Sequence, residues 1–152
     1  MDIISYLKKQ KVKFKKMKHP EVFTSQEVAA AQHVPGRELA KAVLVKADKD
    51  FVLAVLPAVY KIDFKKLAKL LGVKKVKLAG EKDMAKLFPD VEVGAEPPFG
   101  NLYEVETVVE EHLSQEEDIV FQAGTHKDTI RMKYADYAKL ASPKVGPFGE
   151  HI

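Results

Sequence analysis

A chain of 152 residues, 46% apolar and 31% charged, is long enough to bury a real core and has the balance of one ordinary soluble domain. It has no cysteine, which removes disulfides, thiol nucleophiles and thiolate metal sites together and suits a reducing compartment. The net charge is only +3, but lysines crowd Lys8 to Lys18 and Lys61 to Lys77 while acids crowd Glu104 to Asp118, a distribution open to a polyanion such as RNA or to a merely solvated surface.

The first residues, MDIISYLKKQ, lack a signal-peptide pattern, and Asp2 to Gln10 reads as a short helix with Asp2 as its N-cap. Lys11 to Lys18 is a basic extended segment that His19-Pro20 breaks. Thr24 and Glu27 have capping-box spacing, and Phe23 and Val28 have hydrophobic-staple spacing, so a helix runs from there toward Pro35-Gly36. Capping accounts for Thr24, and no Gly-x-Ser-x-Gly elbow surrounds it or Ser25.

Lys41 to Lys46 and Phe51 to Leu56 are two apolar strands joined by the short polar loop Asp48-Lys49-Asp50. The return strand is apolar on both faces and is expected at the centre of a sheet. Lys41 leads the first strand. Its ammonium either reaches water over an apolar stem or is a fixed cation aimed into a pocket. The longest uncharged apolar run, Phe51 to Tyr60, is too short to span a bilayer.

Ile62 to Leu71 has the clearest helical period, capped by Asp63 and ended by Gly72. Val73 to Leu78 alternates as a strand with a basic face, and Glu81 to Phe88 is a short helix closed by Pro89. Asn101 to Val109, Ile119 to Ala123 and Thr129 to Tyr134 read as strands, and Asp136 to Leu140 as a last helical turn or two. The tail from Pro143 to Ile152 is expected to be loosely held beyond a single domain of residues 1–142. Helices interleaved with short strands predict an α+β domain whose sheet curls or closes irregularly.

Two loops carry the chemistry-bearing patterns. In Gly94 to Gly100, GAEPPFG, prolines fix the shape and glycines admit a close approach. Exposed N–H groups there can form an anion-binding concavity, although the glycine spacing matches neither the Walker nor the Rossmann pattern and equally suits a rigid turn. The second loop, Gly124-Thr125-His126, ends an apolar strand and places a hydroxyl and an imidazole where a pocket or a plain hairpin tip would be. His19, His33, His112 and His151 show no metal-ligand spacing, and no metal or cofactor is expected.

Taken in order, the strand-leading Lys41, the Gly94–Pro98–Gly100 loop and the late glycine loop resemble the YbaK/ProX family. These are free-standing trans-editing aminoacyl-tRNA deacylases related to the inserted editing domain of bacterial prolyl-tRNA synthetase. The resemblance runs from His19-Pro20 through Arg37-Glu-Leu-Ala-Lys41-Ala-Val-Leu-Val to the helix at Asp136. It implies a curled, barrel-like sheet of about six strands flanked by helices. It implies a cytoplasmic enzyme that hydrolyses the ester of mischarged tRNA, with an aminoacyl-tRNA synthetase as a further partner and no membrane. Lys41 is implied to be catalytic, Gly94, Pro98 and Gly100 to cradle the terminal adenosine and aminoacyl group, and Gly124, Thr125 and His126 to close the amino-acid pocket. Thr125 stands where many members have a second glycine, and a pocket narrowed there suits alanine, serine, threonine or cysteine.

From first principles, such an ester is already activated. It needs positive charge or N–H donors where the oxyanion develops, supplied by Lys41 or the Gly94 to Gly100 loop, and a polar contact expected from His126. Phosphate contacts from Lys8 to Lys18 or Lys61 to Lys77 would make tRNA binding salt-sensitive. The alternative of another class is a non-catalytic module that binds aminoacyl-tRNA or a synthetase. A third is a small-molecule hydrolase or binder that takes an aminoacyl-adenosine-like ligand.

Overall fold

The computed structural model describes residues 2–18, 30 and 34–152. The predicted Thr24–Glu27 cap, its staple, the His19-Pro20 break and His33 lie outside these residues.

The chain opens with α1 (Ile3–Lys9), where Asp2 accepts the Ile4 N–H at 2.9 Å and the Ser5 hydroxyl at 2.8 Å, and Ile3 and Leu7 are buried. The basic segment becomes β1 (Phe14–Lys18). The central hairpin is β2 (Ala40–Ala47) and β3 (Asp50–Pro57), paired from Ala40↔Pro57 to Ala47↔Asp50. Its turn is held from outside, because the Asp48 carboxylate accepts the N–H groups of Lys74 and Lys75 at 3.2 and 3.0 Å. Then come β4 (Tyr60–Ile62), α2 (Phe64–Leu71), β5 (Val76–Leu78) and α3 (Glu81–Leu87). As the spacing predicts, Asp63 caps α2 and Gly72 ends it at φ 69°.

After the long loop, residues Gly100–Tyr103 form a 3-10 turn and β6 is only Glu106–Glu110. The predicted strand from Asn101 therefore starts late: Glu104 adopts φ 58° and the Val105 N–H folds back onto the Gly100 carbonyl at 2.9 Å. The chain continues with β7 (Asp118–Gln122), β8 (Asp128–Lys133), α4 (Tyr134–Ala141), β9 (Lys144–Gly146) and β10 (Gly149–His151).

The described strands form three sheets, β5-β2-β3-β6-β9, β1-β8-β7 and β10-β4, where the resemblance implies one curled sheet. A parallel bridge, Leu39↔Val120, ties the first sheet to the second. β3 lies at the centre of the five-stranded sheet, as its two apolar faces predict. Leu53 and Val55 enter one core with Phe99, Phe121 and Tyr137, while Val52, Ala54 and Leu56 enter a second core under α2 with Leu67 and Phe148.

The tail corrects the sequence reading. β9 pairs in parallel with β6, β10 pairs with β4, and Phe148 is fully buried. The buried Glu110 carboxylate holds this end down, accepting the Phe148 and Gly149 N–H groups at 3.3 Å each. The glycines and prolines that suggest looseness instead turn the chain between two short strands.

Candidate functional site

The Gly94 to Gly100 loop is buried from Ala95 onward. Gly94 sits at φ 89°, a conformation that disfavours any side chain, and its N–H donates to Glu96 Oε1 at 3.0 Å. The Ala95 N–H goes to the Glu92 carbonyl, the Phe99 N–H to Pro97 O, and the Gly100 N–H to Thr107 Oγ1 at 3.0 Å. Pro97 and Pro98 have no N–H to offer. Of the two readings open for this loop the rigid turn is the one seen, because acceptors within the protein take these donors. Gly100 is required for another reason, since a Cβ there would run into the Val105 carbonyl and come within 2.6 Å of Thr107 Oγ1. The Pro98 carbonyl accepts the fully buried Tyr137 hydroxyl at 2.7 Å, and burial pushes that phenol well above its ordinary pKa.

The structure brings the two predicted loops together. Glu92 donates its N–H to the Gly124 carbonyl at 2.8 Å, and Gly124 donates to Ala95 O at 3.0 Å. The Glu92 carboxylate accepts the His126 N–H at 2.7 Å, and the buried His126 ring bonds the Val93 carbonyl through Nε2 at 2.9 Å. His126 therefore ties the two loops together. Thr125 is also committed: its hydroxyl donates to Asp128 Oδ2 at 2.7 Å and accepts the Lys127 and Asp128 N–H groups. Only its bulk is left to shape a pocket. A cavity of about 190 Å³ opens at this junction, with Asp90, Val91, Pro97, Tyr103, Gly124 and Thr125 in its wall.

Glu96 is the residue that the sequence reading misses. It is 4% exposed, and burial raises its pKa, opposed by the Gly94 N–H, its own N–H and the nearby His126. The signal is a lone carboxylate between Ala95 and Pro97 in a run that ends on Phe99.

Lys41 stands apart from this junction. It is half-buried at the start of β2, opposite Leu56, and burial lowers its pKa. It lines a cavity with Val43, Lys61, Ile62, Phe64 and Leu78. The Leu39–Val120 bridge relates it to the loops. Beyond that parallel contact, β2 runs toward Lys41 and β7 runs toward the Gly124 turn, both leaving in the same direction. At ~3.3 Å per residue, Lys41 lies ~7 Å and Gly124 ~13 Å past the bridge.

Among the described residues one cluster, Glu110, Glu111 and His112, brings donor atoms within 4.8 Å of one another. Glu110 already accepts the His112 N–H at 2.8 Å and meets His112 Nδ1 at 2.6 Å, besides holding Phe148 and Gly149. It serves as a pin rather than an open ligand set.

A family model described as an aminoacyl-tRNA editing domain matches residues 19–140. The multifunctional Ser/Thr-tRNA deacylase ProXp-y of Escherichia coli (strain K12) is 27% identical over 151 residues, covering 96% of this chain and 90% of that protein. Two solved structures share the fold. A candidate trans-editing enzyme for prolyl tRNA synthetase has a TM-score of 0.80 at 20% identity, over 90% of this chain and 87% of that one. The hypothetical protein APE2540 has a TM-score of 0.87 at 19% identity, over 97% and 99%.

Proposed function

The chain belongs to the family of aminoacyl-tRNA editing domains, and we propose that it is a trans-editing enzyme that clears tRNA mischarged with a small amino acid. It is an aminoacyl-tRNA deacylase. The reading extends to serine and threonine esters first, because the Escherichia coli relative is a Ser/Thr-tRNA deacylase, with alanine and cysteine as further candidates. Cytoplasmic location and a synthetase partner belong to the same proposal; among the described residues no helix is long and apolar enough to cross a membrane.

The observation that carries the reading is the hydrogen-bonded junction of the Gly94 and Gly124 loops and the cavity that Pro97, Gly124 and Thr125 wall there. Those loops would hold the terminal adenosine and aminoacyl group by shape, through Gly94, Pro98 and Gly100 on one side and Gly124, Thr125 and His126 on the other. The N–H groups of Gly94, Ala95, Phe99, Gly100 and Gly124 are occupied, so charge development on the ester carbonyl falls to the Lys41 ammonium. A vicinal ribose hydroxyl on the substrate supplies a local proton acceptor, which leaves charge and placement to the protein. Thr125 selects by size, since its hydroxyl is engaged with Asp128. A missing methylene is worth only ~1–3 kcal/mol of discrimination, so several small residues would be accepted.

The test is deacylation of tRNAs charged with Ala, Ser, Thr, Cys and Pro by wild type and by Lys41→Ala. Loss of the serine or threonine ester with wild type alone is expected. Survival of every ester, with tRNA still bound, would make the protein a binding module instead.

A further inference from the structure

A second cavity, of about 280 Å³, sets Lys41 among residues that the ester hydrolysis does not use. Its floor is apolar: Val43 from β2, Ile62 from β4, Phe64 at the start of α2 and Leu78 at the end of β5. Leu78 is 60% exposed, so the carbon surface continues outward from the cavity. Two ammonium groups, Lys41 and Lys61, stand at the rim, and no ion pair among the described residues engages either. Glu150 lies opposite Lys61 in the β10–β4 ladder without closing to an ion pair.

An aromatic ring in an apolar floor edged by cations is a combination that single-stranded nucleic acid binds. The base lies on carbon surface while the phosphate meets the ammonium groups. Lys41, the cation of the editing reading, lines this same cavity, so a strand whose ester meets Lys41 brings its preceding nucleotide here.

From this we infer that the Lys61–Phe64–Leu78 cavity receives the nucleotide that precedes the terminal adenosine of the aminoacyl-tRNA, its base on Phe64 and Leu78 and its phosphate at Lys61. This assignment rests on the editing reading. The cavity would register that the ester is carried on an RNA strand and not on a free nucleoside.

The experiment compares kcat/KM for three seryl esters: seryl-tRNA, the seryl ester of the trinucleotide CCA, and seryl-adenosine. In wild type the first two should exceed the third. Lys61→Glu should cut that advantage by about tenfold, the size of one charge-assisted contact. Its dependence of log(kcat/KM) on log salt should flatten by ~0.7, one single-strand phosphate. Leu78→Ala, at an exposed position, should cut the same ratio without altering the salt slope. An unchanged ratio in both variants, or an equal loss on seryl-adenosine, would overturn the assignment. Anisotropy of a labelled single-stranded RNA ending in CCA separates the two readings. If wild type turns over no ester, the editing reading fails, yet oligonucleotide binding weakened by Lys61→Glu would still uphold the cavity. Binding that is absent from wild type, or insensitive to Lys61→Glu, would remove it.

Discussion

Where the Gly94 and Gly124 loops meet, backbone donors are matched to acceptors inside the protein, whereas in β2 and β4 two ammonium groups stand beside a cavity without an ion-pair partner among the described residues. Glu92 is the hub of the first region. It gives its N–H to Gly124 O and takes the His126 N–H on its carboxylate. Gly94, Ala95, Phe99, Gly100 and Gly124 likewise donate to acceptors within the chain. Lys41 and Lys61 make up the second region. The contrast separates two jobs. A hydrogen-bonded loop pair holds a shape without reorganising, and an unpaired cation on a separate element is available to a charge that arrives with the substrate.

The two regions should respond differently to substitution, and the largest effect is expected at Lys41. Lys41→Ala should lower the deacylation rate by ~10²–10³ while shifting Tm by only about a degree, because the group removed is a half-buried cation with no ion pair to lose. Wild-type activity should also fall on the alkaline side at a lower pH than an ordinary lysine would impose, since burial disfavours the ammonium. A pH profile of kcat/KM, corrected for spontaneous ester hydrolysis, checks this.

Changes to the loop pair should do the reverse and act on stability first. Gly100→Ala forces a methyl against Val105 O and Thr107 Oγ1 and should cost about 1–3 kcal/mol, a loss of Tm that a thermal scan reads directly. Tyr137→Phe strips the Pro98 carbonyl of its buried donor and should cost about 1 kcal/mol, read by urea unfolding.

Glu96→Gln should have the smallest effect, and one of opposite sign. The folded-state pKa of Glu96 is raised, so its contribution to stability is fully present below the ordinary glutamate value and is lost as pH rises through the folded-state value. Glutamine keeps an acceptor for the Gly94 N–H without the buried charge. The variant should gain in Tm over wild type at neutral pH, and the gain should shrink in acid. A gain that is the same at both pH values would contradict the burial of an ionising group there.

Much of the frame is legible in the sequence because it is local. Asp2, Asp63 and Gly72 cap the helices that their spacing predicts, and the two-faced apolar run at Phe51 to Leu56 is the central strand. The loops that form the junction are also visible as glycine and proline patterns. Their joining is not, since it depends on hydrogen bonds between residues 92–95 and 124–126 that no local period encodes. For the same reason the sequence reading offers Gly100 as a donor to substrate, when its N–H is already held by Thr107. Turn-forming residues in the tail look like slack when the strands they connect find their partners far away, at β6 and β4.

That tail has a consequence for synthesis. β6 carries two fully buried valines, Val108 and Val109, and the edge of it that faces away from β3 is covered only when Lys144–Gly146 arrives. On the ribosome β7, β8 and α4 all emerge before that strand does. Throughout that interval the edge presents open backbone on an apolar strand, a surface on which nascent chains can associate. A message broken ahead of the Lys144 codon would yield a chain that keeps this edge bare for good.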